Sequence, residues 1–286
     1  MTEATALPVI AADEAARLAR ELGIPPCPAI LLRFSDEMHK DEPDLRRLAG
    51  FIGKDVALSA AMLSAVNSPF YGLTRKAANV QQALSILGLR AGANLLTTLL
   101  LRNAFPSSSG ALMQRFWDDS AQLAETAADI ARDVTTINRD DAHTYALFRD
   151  CGMAVMISKF RDYAEVLDLH AGRPSPELIL AEETRYRFSH ARVGYALARG
   201  WLLPESLCKS ILYHHHIAQV AAGVAETAAA DPGLVAFGQL AEQVFALRNG
   251  RGLRPDWPAS EAFVLHALRL KPEQIVAMAA SAAVPA

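Results

Sequence analysis

Apolar positions along this chain recur at three- and four-residue spacing almost everywhere, and no stretch alternates apolar with polar residues as a half-buried strand does. The first part is therefore predicted to form helices near residues 9–22, 29–39, 44–52, 56–66, 79–88 and 91–104. A second series is expected near 111–134, 139–149, 152–158, 161–169, 175–184, 189–200, 204–217, 232–248, 258–268 and 272–282. Gly23, followed by Pro25, Pro26 and Pro28, stops the first helix. Asn67-Ser68-Pro69-Phe70-Tyr71-Gly72 reads as a helix stop and turn, with Gly72 free to take positive φ. Asp55 is placed to cap the helix after it. Pro106-Ser107-Ser108-Ser109-Gly110 is the best internal linker. No unit of 20–50 residues repeats, so a solenoid is unsupported. The expected fold is all-α, in two packed helical modules, residues 1–105 and 111–286.

Polar residues that fall on apolar stripes point to chemistry. In the helix from 111, Leu112, Phe116, Leu123, Ala127, Ile130 and Val134 set a stripe, and the spacing between Phe116 and Leu123 lands on Asp119. Extending Val193, Leu197 and Trp201 backwards reaches His190. Leu207 and Ile211 lead to His214, with His215 beside it. Three helices thus aim metal-competent side chains at one interior, where burial is costly unless such groups are paired, hydrogen-bonded or bound to an ion. Helical geometry also requires at least one of His214, His215 and His216 to face solvent. Trp117 and Trp201 are expected in the core.

Composition narrows the classes. Of 286 residues, 51% are apolar and 21% charged, as in ordinary globular proteins. The net charge of −3 gives no electrostatic reason to expect nucleic acid or an anionic membrane as partner. Cys27, Cys151 and Cys208 are odd in number and lack metal-type spacing, so they read as reduced thiols. The N-terminus shows no basic start followed by an apolar run. Only eleven residues separate Arg90 from Arg102 in the most apolar helix, too few to span a bilayer. A cytoplasmic location is expected, and the excess of arginine over lysine hints at a bacterial source. "GLRAG" (88–92) lacks the context of a phosphate loop, and no nucleophile elbow is present.

The wording of the chain resembles the HDOD family, a bacterial relative of the HD phosphohydrolases. The first half carries "IPPCPAIL" (24–31), "IGKDVALSAAMLSAVNSPFYG" (52–72) and "VQQALSILGLR" (80–90). The second half carries "FWDDS" (116–120), "LFRDCG" (147–152), "SHARVGYALARGWLLP" (189–204) and "ILYHHH" (211–216). The resemblance implies an HD-like helical fold for the second module and a signalling role through protein contacts. HD phosphohydrolases hold divalent metals with a histidine, a His-Asp doublet, further histidines and a late aspartate, for metal-assisted phosphate hydrolysis.

Carried over residue by residue, Asp119 stands in place of the first histidine and Arg149-Asp150 in place of the doublet. His190, His214 and His215 are kept, and Glu242 stands for the late aspartate. Arg149 offers only donors and a fixed charge. Two readings of it stay open: it balances the carboxylates internally, or it turns outward into solvent at a helix end. The candidate cleft is Arg149, Asp150, Asp119 and His190. The candidate metal set is Asp150, His190, His214, His215, Asp119 and Glu242.

No cofactor is required by this reading, although a weak divalent-metal site survives in it. The leading expectation is a non-catalytic regulatory module with a signalling-protein partner. The alternatives are a residual metal-dependent phosphohydrolase, or a sensor that binds a phosphate-containing small ligand through Arg149.

Overall fold

The computed structural model describes residue 10 and residues 12–106, 110–134 and 136–281. Most of the linker expected at 106–110 therefore lies outside the described residues. Among those described, all regular structure is helical, as the spacing predicts.

Residues Pro26–Ala104 form one compact unit. Its helices are α2 (Ala29–Met38), α3 (Leu45–Ile52), α4 (Val56–Val66) and α5 (Val80–Ala104), numbered in chain order. Helix α5 packs against the other three, burying Phe34, Leu48, Ile52, Met62, Val66, Leu84 and Leu96. Local chemistry sets the ends. The Asp44 carboxylate accepts from the Arg46 and Arg47 amides at 2.8 and 3.2 Å, and Asp55 accepts from the Leu58 amide at 3.0 Å. The Asn67 side chain clamps the backbone of Ala77, donating to its carbonyl at 3.0 Å and accepting from its amide at 2.7 Å. Gly72 takes φ 58°, a left-handed conformation that favours glycine. Helix α5 is the one described helix with the length and hydropathy to cross a membrane. It is broken at Gly88 (φ 75°, ψ 177°), between the two helices the sequence predicts.

The second unit comprises the described residues up to Pro25 and those from Phe105 onward. Its helices are α1 (Ala12–Leu22), α6 (Ala111–Ile130), α7 (Arg139–Phe148), α8 (Cys151–Lys159), α9 (Tyr163–His170), α10 (Ser175–Tyr186), α11 (His190–Gly200), α12 (Glu205–Tyr213), α13 (Ile217–Ala221), α14 (Pro232–Arg248), α15 (Trp257–Leu268) and α16 (Pro272–Ala280). Helix α1, expected with the first module, packs instead on α11. It buries Ala15, Leu18 and Leu22, and Arg192 on α11 pairs with Glu14 at 2.6 Å. Trp201 donates to the Pro25 carbonyl at 3.0 Å and Trp117 to the Phe105 carbonyl at 2.6 Å, so both indoles are core residues with satisfied N–H groups.

Helices α8 and α11 meet through glycine. A Cβ on Gly152 would lie 1.9 Å from the His190 carbonyl oxygen and 2.6 Å from the Gly194 nitrogen. Only glycine permits that approach, and it brings the starts of the two helices, Asp150 and His190, together. Helix α14 runs through the unit and packs against α6, α7, α12, α13, α15 and α16.

Candidate metal centre

Asp150 occupies the N-cap position of α8, where an aspartate normally accepts from the helix's own amides. Here its side chain makes no capping bond. One oxygen, Oδ1, lies 3.1 Å from His214 Nε2 and 3.5 Å from His190 Nε2. The other, Oδ2, receives Arg149 at 3.0 Å.

The histidines come from two helix ends. His190 opens α11. Helix α12 stops at Tyr213 with His214 as its C-cap, short of the continuous helix the spacing predicts to 217. That stop decides the site. In a continuous helix, successive residues diverge by about 100°, whereas here the rings of His214 and His215 lie 3.8 Å apart between centroids, tilted by 45°. The same break corrects the expectation that one of the three histidines faces solvent. His214 is fully buried, His216 is buried and His215 is half-buried.

Tautomers follow from the outer partners. His190 Nδ1 donates to the Glu182 carboxylate at 2.8 and 2.9 Å, and His214 Nδ1 donates to the Ile211 carbonyl at 2.6 Å. Each ring therefore turns Nε2 inward. His190 Nε2 lies 3.0 Å from His215 Nε2. Four ligand atoms, from Asp150, His190, His214 and His215, lie within 4.8 Å of one another. Lone pairs so arranged repel unless a positive charge sits among them. A tetrahedral site with bonds near 2 Å spaces its ligand atoms about 3.3 Å apart, so this N3O set fits a divalent transition metal. In the absence of an ion a proton on His190 supplies that positive charge, and a metal would have to displace it. Burial alone would lower the His190 pKa, but Glu182 and Asp150 outweigh it and raise it to about 10. His214 is pushed down by burial, and His215 well down by burial and its two neighbouring rings.

Glu182 joins this cluster without standing among the residues the spacing points to. It is fully buried on α10 and is held by Tyr163 OH and by the His190 amide at 2.9 Å, besides the imidazole. Carboxylates behind a ligating histidine fix its tautomer and raise its basicity. The available signal was positional: Ile179, Glu182 and Tyr186 share one face of α10, and all three are buried.

The opposite side of Asp150 carries different chemistry. Arg149 is 2% exposed, which removes the outward reading. Its guanidinium lies between Asp150 and Glu242, at 3.0 and 2.5 Å, and reaches the Gly238 carbonyl at 3.5 Å. Glu242 is held on its other oxygen by Arg254 at 2.6 Å. Burial alone would raise the pKa of both carboxylates, but Arg149 reverses this: Asp150 sits well below the usual range, and Glu242 is lowered with help from Arg254. Space for the guanidinium comes from Gly238, where a Cβ would stand 2.9 Å from Tyr145 Cε1 and 3.4 Å from Arg149 Cδ.

Asp119 is not brought to this site. It is 61% exposed, with Arg251 4.0 Å away. The buried face of α6 is Met113, Trp117, Ser120, Ala124 and Ala127, so the stripe drawn through Phe116 and Leu123 follows the half-buried flank. Glu242 adjoins the site but belongs to Arg149 and Arg254 rather than to the histidine cluster.

An all-α unit whose helix ends gather histidines and an aspartate is the architecture of the HD-like class. The chain belongs within it to the HDOD domain family, whose profile matches residues 24–217. Its fold is shared with a crystal structure of an HDOD domain protein of unknown function from Geobacter sulfurreducens, 24% identical over 93% of this chain and 94% of that one (TM-score 0.65). It is also shared with a putative phosphohydrolase from Shewanella amazonensis SB2B, 18% identical over 92% of each chain (TM-score 0.66). An uncharacterized protein of Treponema pallidum (strain Nichols) is 26% identical over 198 residues. That match takes in 68% of this chain and 38% of the relative's length.

Proposed function

We propose that this chain is a regulatory HDOD module that holds one divalent metal ion through Asp150, His190, His214 and His215, and that it does not hydrolyse phosphate esters. The observation that carries the second half is Arg149. Its guanidinium neutralises Asp150 Oδ2 and Glu242, the carboxylates that a second metal would need. A buried fixed cation there repels another ion and supplies no lone pair. Two-metal clamping of an attacking and a leaving oxygen then has no second member.

A metal ion bound by the N3O set would supply a fixed double charge and Lewis acidity. The chain's own residues supply the rest. Glu182 and the Ile211 carbonyl orient the imidazoles, Asp150 joins the two halves, and the ligands link the starts of α8 and α11 to the end of α12. Such a link suits a module that signals by its shape through contacts with a protein partner. A phosphate-ligand sensor is less favoured, because the terminal nitrogens of Arg149 are engaged by carboxylates and a carbonyl.

The test is metal analysis of the purified protein with calorimetric titration of Zn²⁺, Mn²⁺ and Mg²⁺. The expected result is one equivalent of a transition metal, lost in Asp150→Asn, with negligible turnover of cyclic dinucleotides and aryl phosphodiesters. Arg149→His should raise the stoichiometry above one. Metal-dependent turnover by the unmodified chain would overturn the non-hydrolytic reading, and absence of binding would overturn the metal site.

A further inference from the structure

The Pro26–Ala104 unit segregates charge along its sequence. From Leu45 to Ala104 there are seven Lys and Arg residues and a single acid, Asp55, in a chain whose net charge is −3. Three cations gather on one aromatic ring. Arg33 lies 4.9 Å from the centroid of Phe51, and Arg47 and Lys54 each lie 5.8 Å from it. The ring's negative faces attract each cation, but the cations repel one another. Among the described residues, no carboxylate lies within ion-pair distance of Arg33 or Lys54. Arg47 reaches Glu37 only at 3.9 Å, and that carboxylate already holds Lys40 at 2.6 Å and the Asp44 amide at 3.1 Å. Two residues beyond Lys54, Val56 exposes an apolar side chain at 82%.

We infer that this face, Arg33, Arg47, Phe51 and Lys54 with Val56, is a docking surface for an acidic segment of a partner protein. The segment would set carboxylates against the cations and an apolar side chain against Phe51 and Val56. Aromatic and arginine side chains are the usual anchors of protein interfaces, and charge complementarity would steer the encounter. A polyanion such as DNA or an anionic bilayer fits less well. The gathered cations are few and form no stripe, and the negative charge of the whole chain opposes a large anionic surface. The inference does not rest on the metal site.

The test uses the full chain and a fluorescein-labelled peptide of glutamates flanking a central leucine, read by fluorescence anisotropy. Arg33→Glu/Lys54→Glu should weaken binding by about tenfold or more, with the helical circular-dichroism signal unchanged. Val56→Asp, a second exposed substitution, should weaken it by a smaller factor. Rising salt should weaken the unmodified protein most. No binding by the unmodified chain, or equal binding by the charge-reversed variant, would overturn the inference. Tighter capture of duplex DNA or phosphatidylglycerol vesicles through the same residues would overturn the choice of partner. Self-association lost on charge reversal would assign the face to a second copy instead.

Discussion

The two oxygens of Asp150 face opposite chemistries. On the Oδ1 side, His190, His214 and His215 turn ring nitrogens inward with no fixed cation among them. On the Oδ2 side, Arg149 supplies a permanent charge, Glu242 shares it, and Arg254 closes the chain. One half depends on an exchangeable positive charge, proton or metal, and the other carries its own. A carboxylate shared between them shows how a site can keep metal-binding chemistry on one side while an arginine on the other replaces what a second ion would neutralise.

The largest effect is expected where the built-in charge is removed. Arg149→Met keeps much of the side chain's volume but leaves the half-buried carboxylates of Asp150 and Glu242 without their common, fully enclosed cation. Breaking a buried pair in this way costs about 3–5 kcal/mol, measurable by urea unfolding near neutral pH. The variant should also become more acid-sensitive. Glu242 has a lowered pKa, so it contributes stability above the ordinary carboxylate pKa that is lost as pH falls through the depressed folded value. Without Arg149 that folded value rises, and the acid transition moves up. An unchanged midpoint in both experiments would break the contrast between the halves.

Gly152→Ala tests the contact on which both halves depend. The added Cβ meets backbone atoms of α11, which cannot rotate away as a side chain would. Overpacking commonly costs about 1–3 kcal/mol, and the upper end is expected here. Asp150 and His190 would separate as α8 and α11 part, so metal binding should weaken together with stability. Retained affinity in a destabilised variant would show that the ligands tolerate the displacement.

Glu182→Gln sharpens the histidine half alone. The amide still fits and can still accept from His190 Nδ1, but it loses the charge that makes the ring a stronger donor to metal. Substitutions behind a ligating histidine typically cost about 10–100-fold in metal affinity. The expected readout is that loss by calorimetry, with the acid transition set by Arg149 and Glu242 left in place. A variant binding as tightly as the original would reduce Glu182 to a packing role.

Periodicity made the helices legible, because burying one face of a helix writes a spacing into the sequence. The same spacing located His190 and His214, whose neighbours are large aliphatic and aromatic residues. It did not locate the site's outer parts. Glu182 lies between Ile179 and Tyr186 on a buried face, yet its partner His190 belongs to the next helix, and no spacing within α10 records that pairing. Gly152 and Gly238 act through what they lack, visible only once a neighbouring helix is in place. The stop at His214 was hidden because a histidine triplet continues a helix as readily as it ends one. Sequence order puts helix α1 with the first module, but order does not say which surface a terminal helix covers, and it packs on α11 of the other unit.

The smallest effect is expected at Asp119, where the sequence pattern pointed inward. Its side chain is exposed, and Arg251, also exposed, lies at the limit of ion-pair distance. Exposed pairs contribute about 0–1 kcal/mol and are screened by salt. Asp119→Asn should therefore shift stability by less than about 0.5 kcal/mol, in either direction, and leave metal affinity and stoichiometry unchanged. The control is Asp150→Asn measured beside it. Loss of metal in the Asp119 variant would mean that α6 rearranges to bring this carboxylate to the histidines when an ion binds. Loss in the Asp150 variant alone would confine the ligands to the starts of α8 and α11 and the end of α12, leaving Asp119 as a solvated residue on the outer face of α6.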